Sequence, residues 1–287
     1  MVGKQMTPRE EQIFNRTGLL LGSDAMRFLS QCRIIIFGVG GVGSWCAESL
    51  VRSGVGNITL VDSDTVSLSN INRQAMATMA TVGQPKVSAL AERLRSINPD
   101  CDITERCQTY SSDNAVSFNL EEYNCIIDAI DSLEHKLELI LHATNVVRQQ
   151  KEQLWKELGD DKRNTPVKPH SGFFSSMGSA LKIDPTQVQV SEFWEVDGCP
   201  LAKMLRKRMR HQERYPATKF RCVWSPEVLP NRGASDFTPQ PEEGDSWSQR
   251  KAQVNGTIAH ITAIFGFTLA SLAIRHLTEK KENKKKN

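Results

Sequence analysis

Apolar positions along this chain follow two alternating rhythms. A continuous run, Ile34–Phe37, precedes a stretch with helical spacing, and a second run, Asn57–Asp62, is rich in β-branched residues. Short apolar runs suit strands buried on both faces. Runs with apolar residues three and four apart suit helices that bury one stripe. The pattern predicts a helical segment over 7–31, strand 1 over Arg33–Gly38, a helix from about Ser44 to Ser53, and strand 2 over Asn57–Asp62. Next comes an amphipathic helix over Lys86–Ile97, with Val87, Leu90, Ala91, Leu94 and Ile97 on one face, stopped by Asn98-Pro99. Strand 3 is expected over Cys101–Glu105, strand 4 over Cys125–Ala129, and a long helix from Leu133. Strands alternating with helices imply an α/β fold with a doubly wound, Rossmann-like parallel sheet.

After Val167 the pattern loosens. SGFFSSMGSALK reads as a loop containing glycine and serine, followed by short strands broken at Asp184-Pro185. A helix is expected over 200–214, a Pro-, Gly- and acid-rich loop over 233–249, and an apolar helix from Thr257. The expected division is 7–165 as a nucleotide-binding unit, 166–279 as a C-terminal substrate-side region of short strands and helices in the same fold, and 280–287 as a basic tail. The 18 residues Thr257–Ile274 are short for a membrane span of about 20 apolar residues and are diluted by His260, three threonines and Ser271. A buried core helix is therefore expected, without stable membrane insertion.

Composition narrows the function. The chain has 287 residues, 39% hydrophobic, and a net charge of only +3, so nucleic-acid affinity has to come from a local patch. Seven cysteines, none in a C-x-x-C pair, suggest reduced thiols in a cytoplasmic protein. Cys199 and Cys222 read as structural. The polar, mixed-charge first thirty residues do not resemble a signal peptide.

The candidate chemistry begins at Gly38-x-Gly40-Gly41-x-Gly43, between strand 1 and its helix. Small residues there let a phosphate approach a helix N-terminus, which serves NAD and ATP equally. Asp62, 24 residues beyond Gly38, can hold a ribose hydroxyl in either case. The residues after strand 2 discriminate better. Asp62, Asp64, Asn70, Arg73, Gln74 and Lys86 gather near the carboxyl ends of the strands, where open α/β sheets bind ligands. Hydride transfer has no use for two cations beside the phosphates, whereas adenylation has to stabilise a departing pyrophosphate. ATP fits better than NAD. Asp128 and Asp131 close strand 4 at the same edge; one can serve Mg²⁺, or either can cap the following helix.

GVGGVGSW, DSDTVSLSNINRQ, TVGQPK and DAIDS resemble the ubiquitin-activating-type adenylating family, to which the bacterial ThiF and MoeB enzymes belong, over residues 10–145. The resemblance implies that the Gly38–Gly43 loop, Asp62, Asn70, Arg73, Gln74 and Lys86 bind ATP and that Asp131 serves the metal ion. FNRTGLLLG is similar to the family's N-terminal arginine motif, which implies that Arg16 reaches the ATP phosphates of a partner subunit in a homodimer.

The second half lacks the two C-x-x-C zinc pairs general in ThiF and MoeB. It resembles instead the tRNA threonylcarbamoyladenosine dehydratase branch, through SSMGSALKIDPTQVQVSEF, PLAKMLRKRM, FRCVWSPE and NGTIAHITAIFGFTLAS. The resemblance implies a tRNA substrate and ATP-driven cyclisation with release of AMP. Some members carry a cysteine before the last helix, linked to a sulfur relay; RKAQVNGT has none, and an auxiliary sulfur-relay or electron-supplying partner stays open. The segments 149–164 and 168–174 are longer than the usual connection. On the 200–214 helix, Leu201, Leu205 and Met209 form an apolar stripe, while Lys203, Arg206, Lys207, Arg210 and Arg214 form a basic face for tRNA phosphates, balanced within the stretch by Glu213 alone. Two other readings remain: activation of a ubiquitin-like sulfur carrier, and an NAD oxidoreductase or silent nucleotide sensor.

Overall fold

The structure, a computed structural model, describes residues 6–158, 169–233 and 255–279. Residues 234–249 of the loop expected over 233–249, residues 159–164 of the charged extension and the basic tail fall outside these residues. Among the described residues the chain forms α1 (Pro8–Ile13), α2 (Asn15–Leu21), α3 (Ser23–Leu29), β1 (Arg33–Phe37), α4 (Gly41–Arg52), β2 (Asn57–Val61) and α5 (Lys86–Ile97). It continues with β3 (Asp102–Arg106), β4 (Cys125–Asp128), α6 (Leu133–Leu158), β5 (Gly172–Ser176), β6 (Gln189–Glu192), α7 (Pro200–Gln212), β7 (Arg221–Trp224) and α8 (Ala259–Thr278).

Seven strands make one sheet in the order β3-β2-β1-β4-β5-β7-β6, parallel except for the antiparallel edge strand β6. The strand order reverses between β1 and β4, so the carboxyl ends of these two strands open the crevice of a doubly wound sheet. Alternate residues of β1 face opposite layers. Ile34 and Ile36 join the core formed with α3, α4, α5 and α8, while Ile35 and Phe37 join the core formed with α6 and α7. Burial on both sides explains why the strand reads as an unbroken apolar run.

The segment SGFFSS corrects the reading of that stretch as a loop. It is β5, paired with β4 on one side and β7 on the other, and every residue in it is buried. Its serines hide the strand from a hydrophobicity pattern because their hydroxyls are satisfied inside the sheet: Ser175 donates to Asp128 at 2.6 Å and Ser176 to the Met177 carbonyl at 2.9 Å. The N-terminal segment is helical as expected but broken into three pieces, with Gly22 at φ +85° between α2 and α3. The helix after β1 starts three residues earlier than expected, at Gly41, and takes the glycine turn into its first turn.

Helix α8 is long and apolar enough to meet the length and composition of a membrane span, but half of its apolar window is buried inside the fold. Ile261, Phe265, Leu269, Ala270 and Ala273 are fully buried in the core shared with α4, as a core helix requires.

Candidate active site

The turn from β1 into α4 needs glycine twice. Gly38 lies at φ +82°, a region side chains disfavour, and a Cβ there would lie 2.7 Å from the Ala129 carbonyl oxygen. A Cβ on Gly43 would lie 1.8 Å from the Gly38 carbonyl oxygen, so helix and turn can touch only because it is absent. Gly40 is the N-cap residue of α4, and no side chain caps the helix. The backbone N–H groups of Gly41, Val42 and Gly43 therefore start a 12-residue helix with their orphan donors unclaimed by a capping side chain, a ready phosphate cradle.

Asp62, just beyond the end of β2, ties this turn to the next segment. Its carboxylate accepts from Val39 N at 2.8 Å and from Asp64 N at 3.0 Å. Burial raises its pKa, and the nearby Lys86 charge only partly offsets that. Asp64 is exposed and pairs with Lys86 Nζ at 2.7 Å. Lys86 is buried at the first position of α5, held there by its own N–H to the Asp64 carbonyl at 2.9 Å. The two residues lie 22 positions apart in the chain and meet because the 62–66 and 83–86 segments hydrogen-bond to each other through Val66, Gly83 and Gln84.

Arg73 is placed from three sides. Its backbone carbonyl accepts from Trp45 Nε1 at 2.9 Å and from the Thr262 hydroxyl at 3.4 Å, and its guanidinium donates to the Ser69 carbonyl at 2.9 Å and to Asn72 at 3.0 Å. Ser44 on α4 accepts from Ala75 N at 3.1 Å, pinning the same segment to the first turn of that helix. The Arg73 Cδ would lie 3.4 Å from a Cβ on Gly41, so the arginine lies against the start of α4. Gln74 is buried beside Gly40, with its Nε2 3.8 Å from where a Gly40 Cβ would be. Its Oε1 has no hydrogen-bond partner among the described residues. A buried acceptor without a donor is costly, and a ligand donor would meet that need. Asn70 is buried too and accepts from Ser67 N at 3.1 Å. The structure thus gathers Gly38, Gly40, Gly41, Gly43, Asp62, Asp64, Asn70, Arg73, Gln74 and Lys86 around one edge of the sheet.

The two aspartates after β4 separate. Asp128 caps no helix and is not open to a metal: it is fully buried and pairs with Lys136 Nζ at 2.8 Å. Its other oxygen accepts from Ile130 N at 3.1 Å. Lys136 also donates to the Ile130 carbonyl at 2.9 Å. Between them the pair clamps residues 129–131, whose Ala129 carbonyl abuts Gly38. Asp131 is exposed, and no hydrogen bond from the described residues reaches its carboxylate, so it suits a hard cation shared with phosphate oxygens. Lys136 was legible in principle, since a lysine among Leu133, Leu137 and Ile140 on the apolar face of a helix needs a buried partner. Trp45 and Thr262 gave no signal, because they act through the Arg73 backbone.

Arg16 lies elsewhere. It is exposed on α2, beside Leu19 and Leu20, whose relative exposures are 82% and 83%. Two leucines bared to that degree on one short helix form a surface that favours being covered.

The expected basic face of α7 needs correction. Leu205 and Met209 are fully buried, as the apolar stripe predicts. The helix ends at Gln212, so Arg214 is not on it; its guanidinium makes a two-pronged pair with Glu138 of α6, at 2.6 and 2.7 Å. Glu138, from another helix, balances Arg214 in addition to the single acid of the stretch, Glu213. Arg206 turns inward, donating to the carbonyls of Phe193 and Val196 at 3.1 and 2.8 Å. Of the five cations, Lys203, Lys207 and Arg210 are exposed on α7. Cys199 and Cys222 are both buried, and burial pushes the Cys222 thiol well above its ordinary value.

A phosphate-accepting helix N-terminus at the reversal of strand order, with an acid, two cations and a buried amide around it, defines a nucleotide-binding protein of the doubly wound class. The model of the ThiF family matches residues 14–155. The tRNA threonylcarbamoyladenosine dehydratase of Escherichia coli (strain K12) is 33% identical over 279 residues, 94% of each chain. A crystal structure of the E. coli tRNA N6-threonylcarbamoyladenosine dehydratase, TcdA, in complex with ATP matches with a TM-score of 0.75 at 30% identity, covering 96% of this chain and 97% of that one. The complex of that enzyme with AMP gives the same values. The molybdopterin-synthase adenylyltransferase of E. coli (strain K12) is 36% identical, but over 137 residues, 47% of this chain and 55% of its own. The chain belongs to the ThiF family.

Proposed function

We propose that this protein is an ATP-dependent tRNA threonylcarbamoyladenosine dehydratase. ATP lies with its phosphates on the first turn of α4 and its ribose hydroxyls toward Asp62, while the Gln74 amide meets a donor of the nucleotide. The carboxylate of the threonylcarbamoyl group attacks the α-phosphorus, and pyrophosphate leaves. Arg73 and Lys86 stabilise the charge that grows on the departing oxygens, with Lys86 moving from Asp64 to the phosphates. The carboxylate carbon, now bearing AMP as a leaving group, is attacked from within the same side chain, which gains from proximity. AMP departs, and the net change on the RNA is loss of one water. Asp131 would hold Mg²⁺, which supplies charge neutralisation at the phosphates.

The observation that carries this reading is the extent of the likeness, which takes in 94% of this chain for the dehydratase of E. coli but 47% for the molybdopterin-synthase adenylyltransferase. No enzyme thiol is needed, in keeping with the burial of Cys199 and Cys222. We further propose a homodimer that covers Leu19 and Leu20 and brings Arg16 to the partner's phosphates. The tRNA reading places the protein in the cytoplasm, with Lys203, Lys207 and Arg210 of α7 meeting RNA phosphates.

The test is incubation with α-labelled ATP and either bulk tRNA or a sulfur-carrier protein. AMP release that depends on tRNA, with the cyclised nucleoside in the digested RNA, is expected. Labelled adenylate on the carrier protein, with tRNA unchanged, would replace this reading by carrier activation.

A further inference from the structure

At the opposite edge of the sheet, where β5 and β7 begin, lies a cavity of about 310 Å³ that the adenylation site does not use. That volume suits a small ligand or one group of a larger one. Its walls bring together Lys151 from α6, Lys219 and Arg221 from the start of β7, His276 from the end of α8, and the rings of Phe173 and Phe174. Among the described residues no carboxylate lines it.

The cations are arranged rather than scattered. The Arg221 guanidinium lies over the Phe174 ring, 5.5 Å from its centroid, and the His276 ring meets the same phenyl edge-on at 5.9 Å. Gly172 leaves the room for His276: a Cβ there would lie 2.7 Å from the imidazole. An arginine held by its flat face keeps its N–H edge for a two-pronged bond to an oxyanion. The side chains of Lys151, Lys219 and Arg221 form no ion pair with a described residue. Like charges converging on one cavity repel, so the arrangement favours an anion between them.

We infer that this cavity is a phosphate-binding pocket, and that the phosphate it takes belongs to the backbone of the RNA substrate. The RNA part rests on the function proposed above; the phosphate chemistry does not. The position supports an extended ligand. Six residues, 213–218, separate the end of α7 from Lys219, and this link is docked on α6 by Ala217 N donating to the Thr144 hydroxyl at 3.0 Å. The pocket thus continues the surface that carries Lys207 and Arg210, and a long polyanion can follow it from the carboxyl edge to the amino edge of the sheet.

The experiment compares wild type with the Lys151→Gln/Lys219→Gln variant, which removes two charges from the rim without touching the core, and uses two probes. Bulk tRNA binding is measured against salt. Each lost phosphate contact should flatten the slope of log affinity against log salt by about 0.7–0.9 and cost about five- to eightfold in affinity at 0.1 M salt. Affinity for ATP should stay at the wild-type value. Inorganic phosphate, followed by ³¹P line broadening, should bind the wild type and the Arg73→Ala variant, and bind the lysine variant less. Phosphate binding that falls while tRNA affinity and slope hold would overturn the RNA source and leave a pocket for a free phosphate compound. Unchanged binding of both probes would overturn the pocket. If wild type binds no tRNA at all, the RNA reading falls together with the proposed function, and the phosphate arm alone judges the pocket.

Discussion

Replacing Lys136 by methionine tests the clamp beneath the nucleotide site. Both Lys136 and Asp128 are fully buried, and methionine keeps the length and apolar stem of the side chain while removing the charge. Asp128 would keep Ser175 at 2.6 Å and Ile130 N at 3.1 Å but lose its counter-ion. Leaving one member of a buried pair uncompensated typically costs about 3–5 kcal/mol, against total stabilities of about 5–15 kcal/mol. At about 2 °C per kcal/mol for a large domain, the melting temperature should fall by about 6–10 °C. The double variant Lys136→Met/Asp128→Asn removes both charges, and the buried-charge argument requires it to recover much of that loss. Residues 129–131 would also lose the Lys136 bond to the Ile130 carbonyl, so ATP affinity should drop at temperatures where the variant is still folded. Urea unfolding and titration with a fluorescent ATP analogue measure the two effects. A Lys136→Met loss below about 1 kcal/mol, or a double variant as unstable as the two single losses added together, would refute the reasoning.

Arg73→Ala and Lys86→Ala should each reduce AMP formation by about 10²–10³-fold, the usual cost of one lost contact to transition-state charge, in a protein that still unfolds cooperatively; near-normal turnover would remove both from the reaction. Mixed Arg16→Ala and Asp131→Asn subunits should regain activity that neither has alone, because a hybrid dimer holds one intact site; no recovery after proven subunit exchange would place Arg16 outside the partner's site. Glu48 is desolvated by burial, which raises its pKa, but its pairs with Arg93 at 2.6 Å and Arg52 at 2.9 Å outweigh that and hold it below the usual carboxylate range. A depressed carboxylate stabilises the fold above its unfolded pKa and stops doing so as pH falls through the folded one, so Glu48→Gln should be less stable than wild type near neutrality and converge with it once the pH has fallen through the usual carboxylate range; a gap independent of pH would refute the ionic contribution. Thiol titration of the native protein should find one fast cysteine, exposed Cys107, since the others are buried and burial lifts Cys32 to about 12; a second fast thiol would contradict this packing.

Elements whose signal is local can be read from the order of residues alone. Helix α5 spans Lys86–Ile97 as its apolar spacing requires, and β1, β2 and β4 match their runs to within a residue at either end. That the glycine loop and the polar residues after β2 share one edge of the sheet was legible as well, because the glycine spacing follows from the backbone's need for room at the turn into α4. Tertiary structure decided what depends on partners far along the chain. Strand β5 was hidden because the partners of its serines, above all Asp128, lie elsewhere, and no local pattern separates a satisfied buried serine from a loop serine. Asp128 and Asp131 stand three residues apart with the same side chain, yet only a lysine one turn into α6 makes one a buried counter-ion and leaves the other exposed. Periodicity places Arg206 and Arg214 on an outward face, while carbonyls of the Phe193–Val196 turn and the Glu138 carboxylate claim them. Periodicity fixes which face of a helix is apolar; which charges on the other face stay available depends on the groups that the rest of the fold packs beside them.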